Sequence, residues 1–333
     1  MGPVLRTTQS TLSAMSAAHD ASPAADDVGP TIAVVGCGRW GVNIVRDLLR
    51  LRCQVVAVDV SSGARRAAIA QGAVAACPTL TEHNDVTGRV EGVVVAGPTR
   101  LHAQLAKAAL QLEVPVFVEK PMTDDLSSAE TLVTLGAGHL FVMHKWHYHP
   151  GIETLADLAH SGALGAVHGV TSSRVGEAFV SDTDMLWLLA PHEITIGARV
   201  LGGYPVDATA VAESVDGEIA GIDVTCRWQD GRWHHWTIST RPEAVARRVA
   251  VDGSHARAVL PSPYAEHVDV RGVGAGACHE SRLVEIDQDP PLLRELRIFR
   301  DHVRGGPPPP TSASDGLEVV RLITHIRESA GLH

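Results

Sequence analysis

The residues of this chain best suited to chemistry are a lysine and a histidine, Lys120 and His192. Lys120 ends an apolar run and precedes Pro121, so its ammonium would lie at the carboxyl end of a predicted strand. There it could donate a hydrogen bond to a hydroxyl oxygen and stabilise negative charge that develops on it. His192 carries an imidazole, which titrates near neutral pH and suits a general base. The alternatives are a solvated surface lysine and a core histidine between Leu189 and Ile194.

A glycine-rich turn that could hold a dinucleotide lies upstream of both residues. The apolar run Ile32–Val35 leads into Gly36-Cys37-Gly38-Arg39-Trp40-Gly41, and a helical segment, Val42–Leu51, follows. In a Gly-x-Gly-x-x-Gly turn the first glycine allows the tight bend, the second lets the backbone approach a pyrophosphate, and the third lets helix and strand pack closely. The helix N-terminus offers unpaired N–H groups to the phosphates. The strand before the turn and the helix after it favour dinucleotide binding over a chance tight turn.

Asp59 indicates which dinucleotide is bound. It ends the next apolar run, Val55–Val58, where a carboxylate would accept hydrogen bonds from the adenosine ribose hydroxyls. Such a carboxylate favours the free 2′-hydroxyl of NAD and repels the 2′-phosphate of NADP. The side chains that could instead serve that phosphate are Ser61, Ser62, Arg65 and Arg66. The prediction is NAD, with NADP as the less favoured alternative.

Composition limits the classes of protein and partner. The chain has 333 residues, enough for two domains, with 45% hydrophobic residues and a net charge of −10. That charge argues against nucleic acid or an anionic membrane as the main partner, and no apolar run approaches the length of a membrane span. Residues 1–29 are typical of a disordered leader. The five cysteines show no paired spacing, which predicts reduced thiols in a cytoplasmic protein: Cys37, Cys53, Cys77, Cys226 and Cys278.

The pattern of apolar runs predicts an α/β protein with two domains. Residues 30–146 alternate short apolar runs with helical patterns, as a doubly wound parallel (Rossmann) sheet requires. We expect an α+β domain with a mostly antiparallel sheet over residues 147–310, because Asp230-Gly231 and Asp252-Gly253 are hairpin turn signals. Residues 311–333 predict a final helix that packs back on the first domain. Ligands bind outside the carboxyl ends of parallel strands, which places one crevice around Gly36, Asp59, Pro98, His102 and Lys120.

Several motifs in order along the chain carry a resemblance to a known family. They are Gly36-Cys37-Gly38-Arg39-Trp40-Gly41, Pro98 with His102, Val116-Phe117-Val118-Glu119-Lys120-Pro121, Tyr148-His149-Pro150, Ser161-Gly162-Ala163-Leu164-Gly165, Leu186-Trp187-Leu188-Leu189-Ala190-Pro191-His192-Glu193 and Asp315-Gly316-Leu317. Over roughly residues 30–330 the chain resembles the glucose–fructose oxidoreductase / inositol dehydrogenase (Gfo/Idh/MocA) family. The Tyr-His-Pro and Leu-Trp-x-x-Ala-Pro-His stretches look most like the branch that oxidises C3 of UDP-linked sugars, such as UDP-N-acetylglucosamine 3-dehydrogenase.

The resemblance implies an NAD-dependent dehydrogenase that oxidises a secondary ring hydroxyl of a sugar, C3 of a nucleotide-linked one in the favoured reading. Lys120 matches the family's catalytic lysine, and the chain is expected to form a homodimer or homotetramer. The family often has an aspartate four residues before its histidine, where this chain has Leu188. Asp184 or Glu193 could substitute. The expected substrate contacts are Lys120, His149, Arg174 and His192, and the expected cofactor contacts beyond the glycine turn are Asp59, Ala96, Pro98, His102, Glu119 and Lys120.

Other readings stay open on the sequence. The same residues suit an inositol dehydrogenase, a dehydrogenase of an aminoglycoside sugar, or a 3-ketosugar reductase that runs the reaction backwards. A non-catalytic regulator that binds NAD and a sugar is favoured slightly by Leu188. The histidines of 144–149 suggest zinc, but no cysteine or acid lies at ligand spacing, so no metal is expected. Trp233-His234-His235-Trp236 alternates along a predicted strand and is typical of sheet packing or an oligomer face.

Overall fold

The computed structural model describes residues 28–82, 89–176, 184–215, 218–240, 246–273 and 281–332. The predicted leader lies almost wholly outside the described residues, as does Cys278. The cysteines within them, Cys37, Cys53, Cys77 and Cys226, are buried free thiols. No helix within these ranges is long and apolar enough to cross a membrane.

The first sheet has six strands, all parallel. The strands are β1 (Thr31–Val35), β2 (Gln54–Val58), β3 (Ala75–Cys77), β4 (Gly92–Val95), β5 (Val116–Glu119) and β6 (Leu140–Met143), in the spatial order β3-β2-β1-β4-β5-β6. This is the strand order of the dinucleotide-binding doubly wound fold. The strands are buried along nearly their whole length because helices cover both faces of the sheet. The predicted parallel sheet is confirmed.

Within the described residues, four helices connect these strands. They are α1 (Gly41–Arg50), α2 (Ser62–Gln71), α3 (His102–Leu110) and α4 (Leu126–Leu135). Ser61 and Asp125 cap α2 and α4 by accepting backbone N–H groups of the first turn. Helix α1, which follows the glycine turn, has no side-chain cap. The N–H groups of Val42 and Asn43 donate to the carbonyl oxygens of Gly38 and Trp40, and the partial positive charge of the helix N-terminus still favours a nearby anion.

In the part of the chain that the structure describes, the second sheet has eight strands. The strands are β7 (Val167–Val175), β8 (Asp207–Val215), β9 (Glu218–Arg227), β10 (Trp233–Ser239), β11 (Ala246–Gly253), β12 (Ala256–Leu260), β13 (His267–Gly272) and β14 (Arg282–Glu285). Their order is β14-β13-β12-β11-β7-β10-β9-β8, and every pair is antiparallel except β7 with β10. On β10, His234 and Trp236 are buried and their neighbours half-buried, which is the alternation expected of sheet packing.

Two helices cover the inner face of this sheet and border the first one. A short 3₁₀ helix, Lys145–Tyr148, follows β6 and leads into α5 (Pro150–His160). Helix α6 (Met185–Leu201) carries His192 and is buried along most of its length. Its core contacts include Trp146 from the 3₁₀ helix and Trp236 from the sheet. The 3₁₀ helix and α6 thus meet where the two sheets adjoin.

One predicted turn lies at a different position. The Asp230-Gly231 turn is present, with Gly231 at φ +87°, but β11 continues through Gly253 and turns at Ser254 and His255. A Cβ on Gly253 would lie 2.2 Å from the Leu164 carbonyl oxygen. The glycine therefore allows a close backbone approach within the strand rather than a reversal of the chain.

The last two helices tie the molecule together. Helix α7 (Pro291–Val303), placed by the sequence in the second domain, packs beside α1 on the first sheet, with Phe299 stacked on Phe117 at 5.0 Å. Helix α8 (Ala313–Ser329) contacts α4 and β6 on one side and α6 and β8 on the other. A capping box of Ser312 and Asp315 begins it.

Candidate functional site

The glycine turn has the backbone geometry that close contact with a cofactor needs. Gly36 has φ +95°, a region that favours glycine, and a Cβ there would lie 2.6 Å from the Gly97 nitrogen. A Cβ on Gly41 would meet the Gly36 carbonyl oxygen at 1.9 Å. Around Gly38 nothing lies within 4 Å of that position, so the space a pyrophosphate would use is open. The three glycines thus have the separate geometries expected of them.

Asp59 is held ready at the end of β2. Its carboxylate accepts the backbone N–H of Cys37 at 2.8 Å and that of Ser61 at 2.7 Å. The Arg65 guanidinium donates to the Asp59 carbonyl oxygen at 2.6 Å rather than to a carboxylate. Because a carboxylate can accept about four hydrogen bonds, oxygen lone pairs remain for ribose hydroxyls. Burial and the nearby Asp59 charge raise the pKa of the Cys37 thiol to about 12, so this cysteine stays protonated.

A cavity of about 710 Å³ opens between the glycine turn and Asp59. Its lining includes Gly36, Gly38, Arg39, Asp59 and Pro98. The volume falls within the range of cofactor pockets. The open space at Gly38, the uncapped α1 and the positioned Asp59 fit the adenosine and pyrophosphate half of NAD. Arg39 is exposed on the rim of this cavity.

A second cavity of about 280 Å³ lies at the carboxyl ends of β4 and β5 and brings Lys120 and His192 together. The Lys120 Nζ donates to the Leu188 carbonyl oxygen on α6 at 2.7 Å. Burial, with the Lys145 and Arg174 charges, lowers the pKa of Lys120 to about 8, although Glu119 opposes the shift. A larger fraction of this amine is therefore neutral near pH 7 than in an exposed lysine. Ala96 also lines this cavity.

His192 faces the same cavity from α6. Among the described residues no hydrogen bond involves its imidazole, which lies tilted against the Trp146 ring at 6.2 Å. Burial and the positive charges of Lys120 and Arg174 lower its pKa well below the usual value. The ring is consequently neutral at working pH and can accept a proton or a hydrogen bond.

Glu119 and Trp40 form one wall of this cavity. The Trp40 indole N–H donates to the buried Glu119 carboxylate, which also accepts the Lys120 backbone N–H at 2.9 Å. Burial raises the pKa of Glu119. The contact joins the glycine turn to the end of β5, so both predicted cofactor contacts stand at the nicotinamide end of the crevice.

His102 also lies at this end, but its ring is engaged by backbone groups. Its Nδ1 lies 2.8 Å from the Pro121 carbonyl oxygen and its Nε2 lies 2.9 Å from that of Gly97. Burial lowers its pKa. The ring therefore links the loops after β4 and β5, and it presents carbon atoms to the cavity.

A third cavity, of about 480 Å³, adjoins the second and shares Trp40 and Lys145 with it. It lies between α1, the 3₁₀ helix and the second sheet. His149 lines it, stacked on Trp146 at 4.8 Å, but the Nδ1 of His149 accepts the Gly151 N–H and its Nε2 lies 3.0 Å from the Pro263 carbonyl oxygen. Burial lowers its pKa to about 4. His149 thus offers a ring surface to a ligand, with its nitrogens already bonded.

Two residues predicted to act on substrate have other partners. Arg174 is buried, with its Nε 2.9 Å from a Glu193 carboxylate oxygen and its guanidinium over the Trp146 ring at 4.8 Å. It lies behind the cavity and is not part of the wall of either cavity. The ion pair with Arg174 also engages the carboxylate of Glu193, which was one proposed substitute for the family aspartate.

Asp184, the other proposed substitute, does not lie with the predicted catalytic residues. Its carboxylate caps α6 by accepting the N–H groups of Leu186 and Trp187 at 2.9 and 3.1 Å, and it pairs with Arg327 of α8. It begins the helix two turns before His192, and it lines neither the second nor the third cavity. In this structure Asp184 stabilises the helix rather than orienting the imidazole.

The sequence analysis overlooked Lys145 and Glu295. Lys145 is half-buried after β6, and its Nζ lies 5.1 Å from the centre of the Trp40 ring. Glu295 of α7 is fully buried, and its carboxylate has no hydrogen-bond partner among the described residues. Burial and the Glu119 charge raise its pKa well above the usual value. Lys145 could have been found from the sequence, because two of the chain's three lysines lie just beyond the ends of neighbouring strands, Lys120 directly after β5 and Lys145 two residues after β6.

Comparison with known proteins agrees with the fold and with dinucleotide binding by the first domain. Residues 31–142 match the family model described as "Oxidoreductase family, NAD-binding Rossmann fold" (GFO_IDH_MocA). Myo-inositol dehydrogenase Hyg17 of Streptomyces leeuwenhoekii is 26% identical over an alignment covering 90% of this chain and 97% of the relative. Inositol 2-dehydrogenase of Renibacterium salmoninarum is 32% identical over 41% of this chain and 43% of that protein. UDP-N-acetylglucosamine 3-dehydrogenase GnnA of Acidithiobacillus ferrooxidans shares the fold, with a TM-score of 0.78, 20% identity, and coverage of 90% of this chain and 97% of that structure.

The fold, the glycine turn and the paired lysine and histidine define an NAD-binding oxidoreductase that acts on CH–OH groups. The Rossmann domain, residues 31–142, matches the Gfo/Idh/MocA family model, and along nearly its whole length the chain is similar to a myo-inositol dehydrogenase.

Proposed function

We propose that this oxidoreductase oxidises a secondary ring hydroxyl of a sugar to a ketone, with C3 of a nucleotide-linked hexose or amino sugar as the favoured position. The observation that carries the proposal is the second cavity. It joins Lys120 and His192 at the carboxyl ends of β4 and β5, next to the glycine turn. When bound, NAD supplies the acceptor for the hydride that leaves the carbinol carbon.

The chain's own residues deal with the hydroxyl proton. The Lys120 amine, with a pKa of about 8, can accept it and, once protonated, stabilises oxyanion character on the substrate. His192 is neutral and has no hydrogen-bonded partner among the described residues, so its ring can accept a hydrogen bond from the same hydroxyl. The Leu188 carbonyl fixes the position of Lys120. Loss of the family aspartate leaves these two groups to share the proton.

The third cavity supports a substrate larger than a single ring. It continues from the catalytic cavity past Trp40 and Lys145 towards the second sheet, with a volume of about 480 Å³. A ring at Lys120 could extend a linked group into it. The similarity in fold to UDP-N-acetylglucosamine 3-dehydrogenase is consistent with that arrangement.

An inositol is the second candidate substrate. The observation that favours it is the similarity to a myo-inositol dehydrogenase along nearly the whole chain. The catalytic cavity alone is enough for a free cyclitol, and the same groups serve an aminoglycoside sugar or the reverse reduction of a 3-ketosugar. A cytoplasmic location and a homodimer or homotetramer stay predictions.

The test is turnover with a substrate panel. The purified protein is incubated with NAD and UDP-, dTDP- or GDP-linked sugars, free cyclitols and aminoglycosides, and NADH is followed by absorbance. Oxidation of a nucleotide-linked sugar supports the favoured reading, and oxidation of a cyclitol alone supports the second. NAD binding without turnover of any compound would contradict the dehydrogenase proposal.

Replacing Lys120 separates an enzyme from a non-catalytic regulator. We expect Lys120→Ala to lower kcat by roughly 10²- to 10⁴-fold, since it removes the group that handles the proton, while the Kd for NAD changes little. Lys107→Ala is the matched control, because Lys107 lines none of the three cavities. A regulator's ligand response would be nearly the same in both variants.

A further inference from the structure

The Lys145 ammonium stands where the catalytic cavity and the larger third cavity meet. It lines both of them, half-buried, with the Trp40 ring beneath its Nζ. In the described part of the chain no ion pair or hydrogen bond involves this ammonium. A half-buried ammonium normally has an anionic or hydrogen-bonding partner, because burial disfavours its charge. The described residues thus supply no hydrogen-bonded or ion-paired partner at this position.

The acidic residues that line the third cavity cannot be that partner, because arginines already pair with them. Asp47 is bonded by Arg46 and Arg50. At the opposite end, the carboxylates of Asp287 and Asp289 pair with Arg294 and Arg297 respectively. The carboxylates on the wall of the cavity are thus compensated by arginines, of which Arg46 also lines the cavity.

The buried carboxyl groups near Lys145 compensate it only in part. Glu119 already accepts the Trp40 indole N–H and the Lys120 backbone N–H. Glu295 is fully buried without a hydrogen-bond partner among the described residues, and burial raises its pKa well above the usual value, which disfavours its charged form. Burial, with the charges of Arg174 and Arg247, lowers the pKa of Lys145, and Glu295 and Glu119 oppose the shift. Arg174 is paired with Glu193, whereas Lys145 and Arg247 both line the third cavity. This cavity thus presents two cations to a ligand.

We infer that Lys145 is a specificity-determining residue that binds an anionic substituent of the substrate, a phosphate or a carboxylate, next to the ring that is oxidised. The inference rests on the ring-dehydrogenase function proposed above and narrows its substrate class. Arg247 also lines this cavity and can approach the same anion. A phosphate would come from a glycosyl diphosphate, and a carboxylate from a uronic acid. A neutral cyclitol offers Lys145 no such partner.

Direct binding tests the inference without turnover. The NADH-loaded protein is titrated by calorimetry with UDP-glucose, D-glucuronate and myo-inositol, using wild type, Lys145→Met, Lys145→Gln and the control Lys107→Met. We expect at least one anionic probe to bind wild type and to lose roughly 10- to 100-fold in affinity in the Lys145 variants. Lys107→Met should stay within threefold of wild type. The glutamine variant keeps a polar side chain over Trp40 and serves if the methionine variant does not fold.

The outcomes are distinct. Loss with UDP-glucose alone identifies a phosphate as the partner, and loss with glucuronate alone identifies a carboxylate. Anionic probes that bind the Lys145 variants as tightly as wild type, or that do not bind wild type, would overturn the inference. Turnover of myo-inositol, with no anionic probe bound or turned over by wild type, would also overturn it and leave the dehydrogenase standing. Lys145-dependent anion binding with no turnover of any ring alcohol would instead remove the proposed function and leave the anion site.

Discussion

At the residue scale, the site differs from the family pattern at Leu188. A carboxylate at that position would stand beside both Lys120 and His192. Here the position contributes its backbone carbonyl, which accepts the Lys120 ammonium at 2.7 Å. A carbonyl carries no net charge, so it orients the amine without holding it fully protonated. Burial, with the charges of Lys145 and Arg174, lowers the pKa of Lys120, and position 188 supplies no carboxylate that would oppose the shift.

The pH dependence of oxidation should report Lys120. Because burial lowers its pKa to about 8, the amine is protonated below that pH and cannot accept the hydroxyl proton. We expect kcat/KM for oxidation to rise with pH and to level off above about pH 8. His192, whose pKa is well below the usual value, should add no limb between pH 6 and 9. A single limb near pH 6.5 would assign the proton to His192 instead.

Restoring the carboxylate should move this limb. In Leu188→Asp a negative charge beside Lys120 would favour the ammonium and raise the lysine pKa. The rising limb of kcat/KM should then shift to higher pH by about one unit or more. Leu188→Asn is the control, since it adds a polar group of similar size without charge. An unshifted limb in Leu188→Asp would show that Lys120 is not the group that titrates.

At the element scale, helix α6 carries the catalytic histidine, and its start is fixed by Asp184. The capping contacts and the pair with Arg327 tie this helix to α8. The order of elements from the sequence did not show this use of Asp184. An aspartate can serve as a helix cap or as a catalytic acid, so the residue type alone does not show its role. The direction in which the helix runs from Asp184 distinguishes the two.

Removing the cap should affect stability and leave chemistry intact. We expect Asp184→Ala to lower the free energy of unfolding by about 1 to 2 kcal/mol, measured by urea denaturation. Its kcat should stay within twofold of wild type. Asp184→Asn should retain most of the stability, because an asparagine side chain also caps a helix. A large fall in kcat for the folded alanine variant would return Asp184 to the catalytic set.

The features that could be predicted from the sequence are those that depend on neighbouring residues, and the features that could not are those that depend on other elements. The glycine turn, Asp59 and Lys120 were predictable because strand periodicity and the strand-end rule are local to the chain. Arg174 was not, since its partner Glu193 lies on a different element. The orphaned carboxylate of Glu295 was not predictable either, because an acid on an amphipathic helix normally faces water. Contacts between distant segments decide such cases.

At the scale of the whole molecule, helix α8 contacts both sheets. It touches α4 and β6 of the first sheet and β8 of the second. Gly316 lets it approach closely, because a Cβ there would lie 2.7 Å from Val142 Cγ2 and 2.9 Å from Met122 Sδ. The catalytic crevice lies between the two sheets, so this helix helps to set the relative position of their edges.

Gly316 should therefore resist the usual gain from alanine in a helix. Alanine improves helix propensity by up to about 1 kcal/mol, but overpacking costs about 1 to 3 kcal/mol. We expect Gly316→Ala to lower the melting temperature. Gly63→Ala in exposed α2, where the new Cβ would lie 3.6 Å from Ser61 Oγ, should leave it unchanged or raise it. A stabilised Gly316→Ala would contradict the close packing.

The central position of β7 has a consequence for the order in which the chain is made. Both neighbours of this strand, β10 and β11, lie later in the sequence, and β10 begins at Trp233, roughly 60 residues after β7 ends at Val175. At roughly 5 to 20 residues per second, a ribosome needs about 3 to 12 s to make that stretch. During this time β7 has two open hydrogen-bonding edges. The nascent chain is thus most open to mispairing at the strand that later holds the two halves of the sheet together.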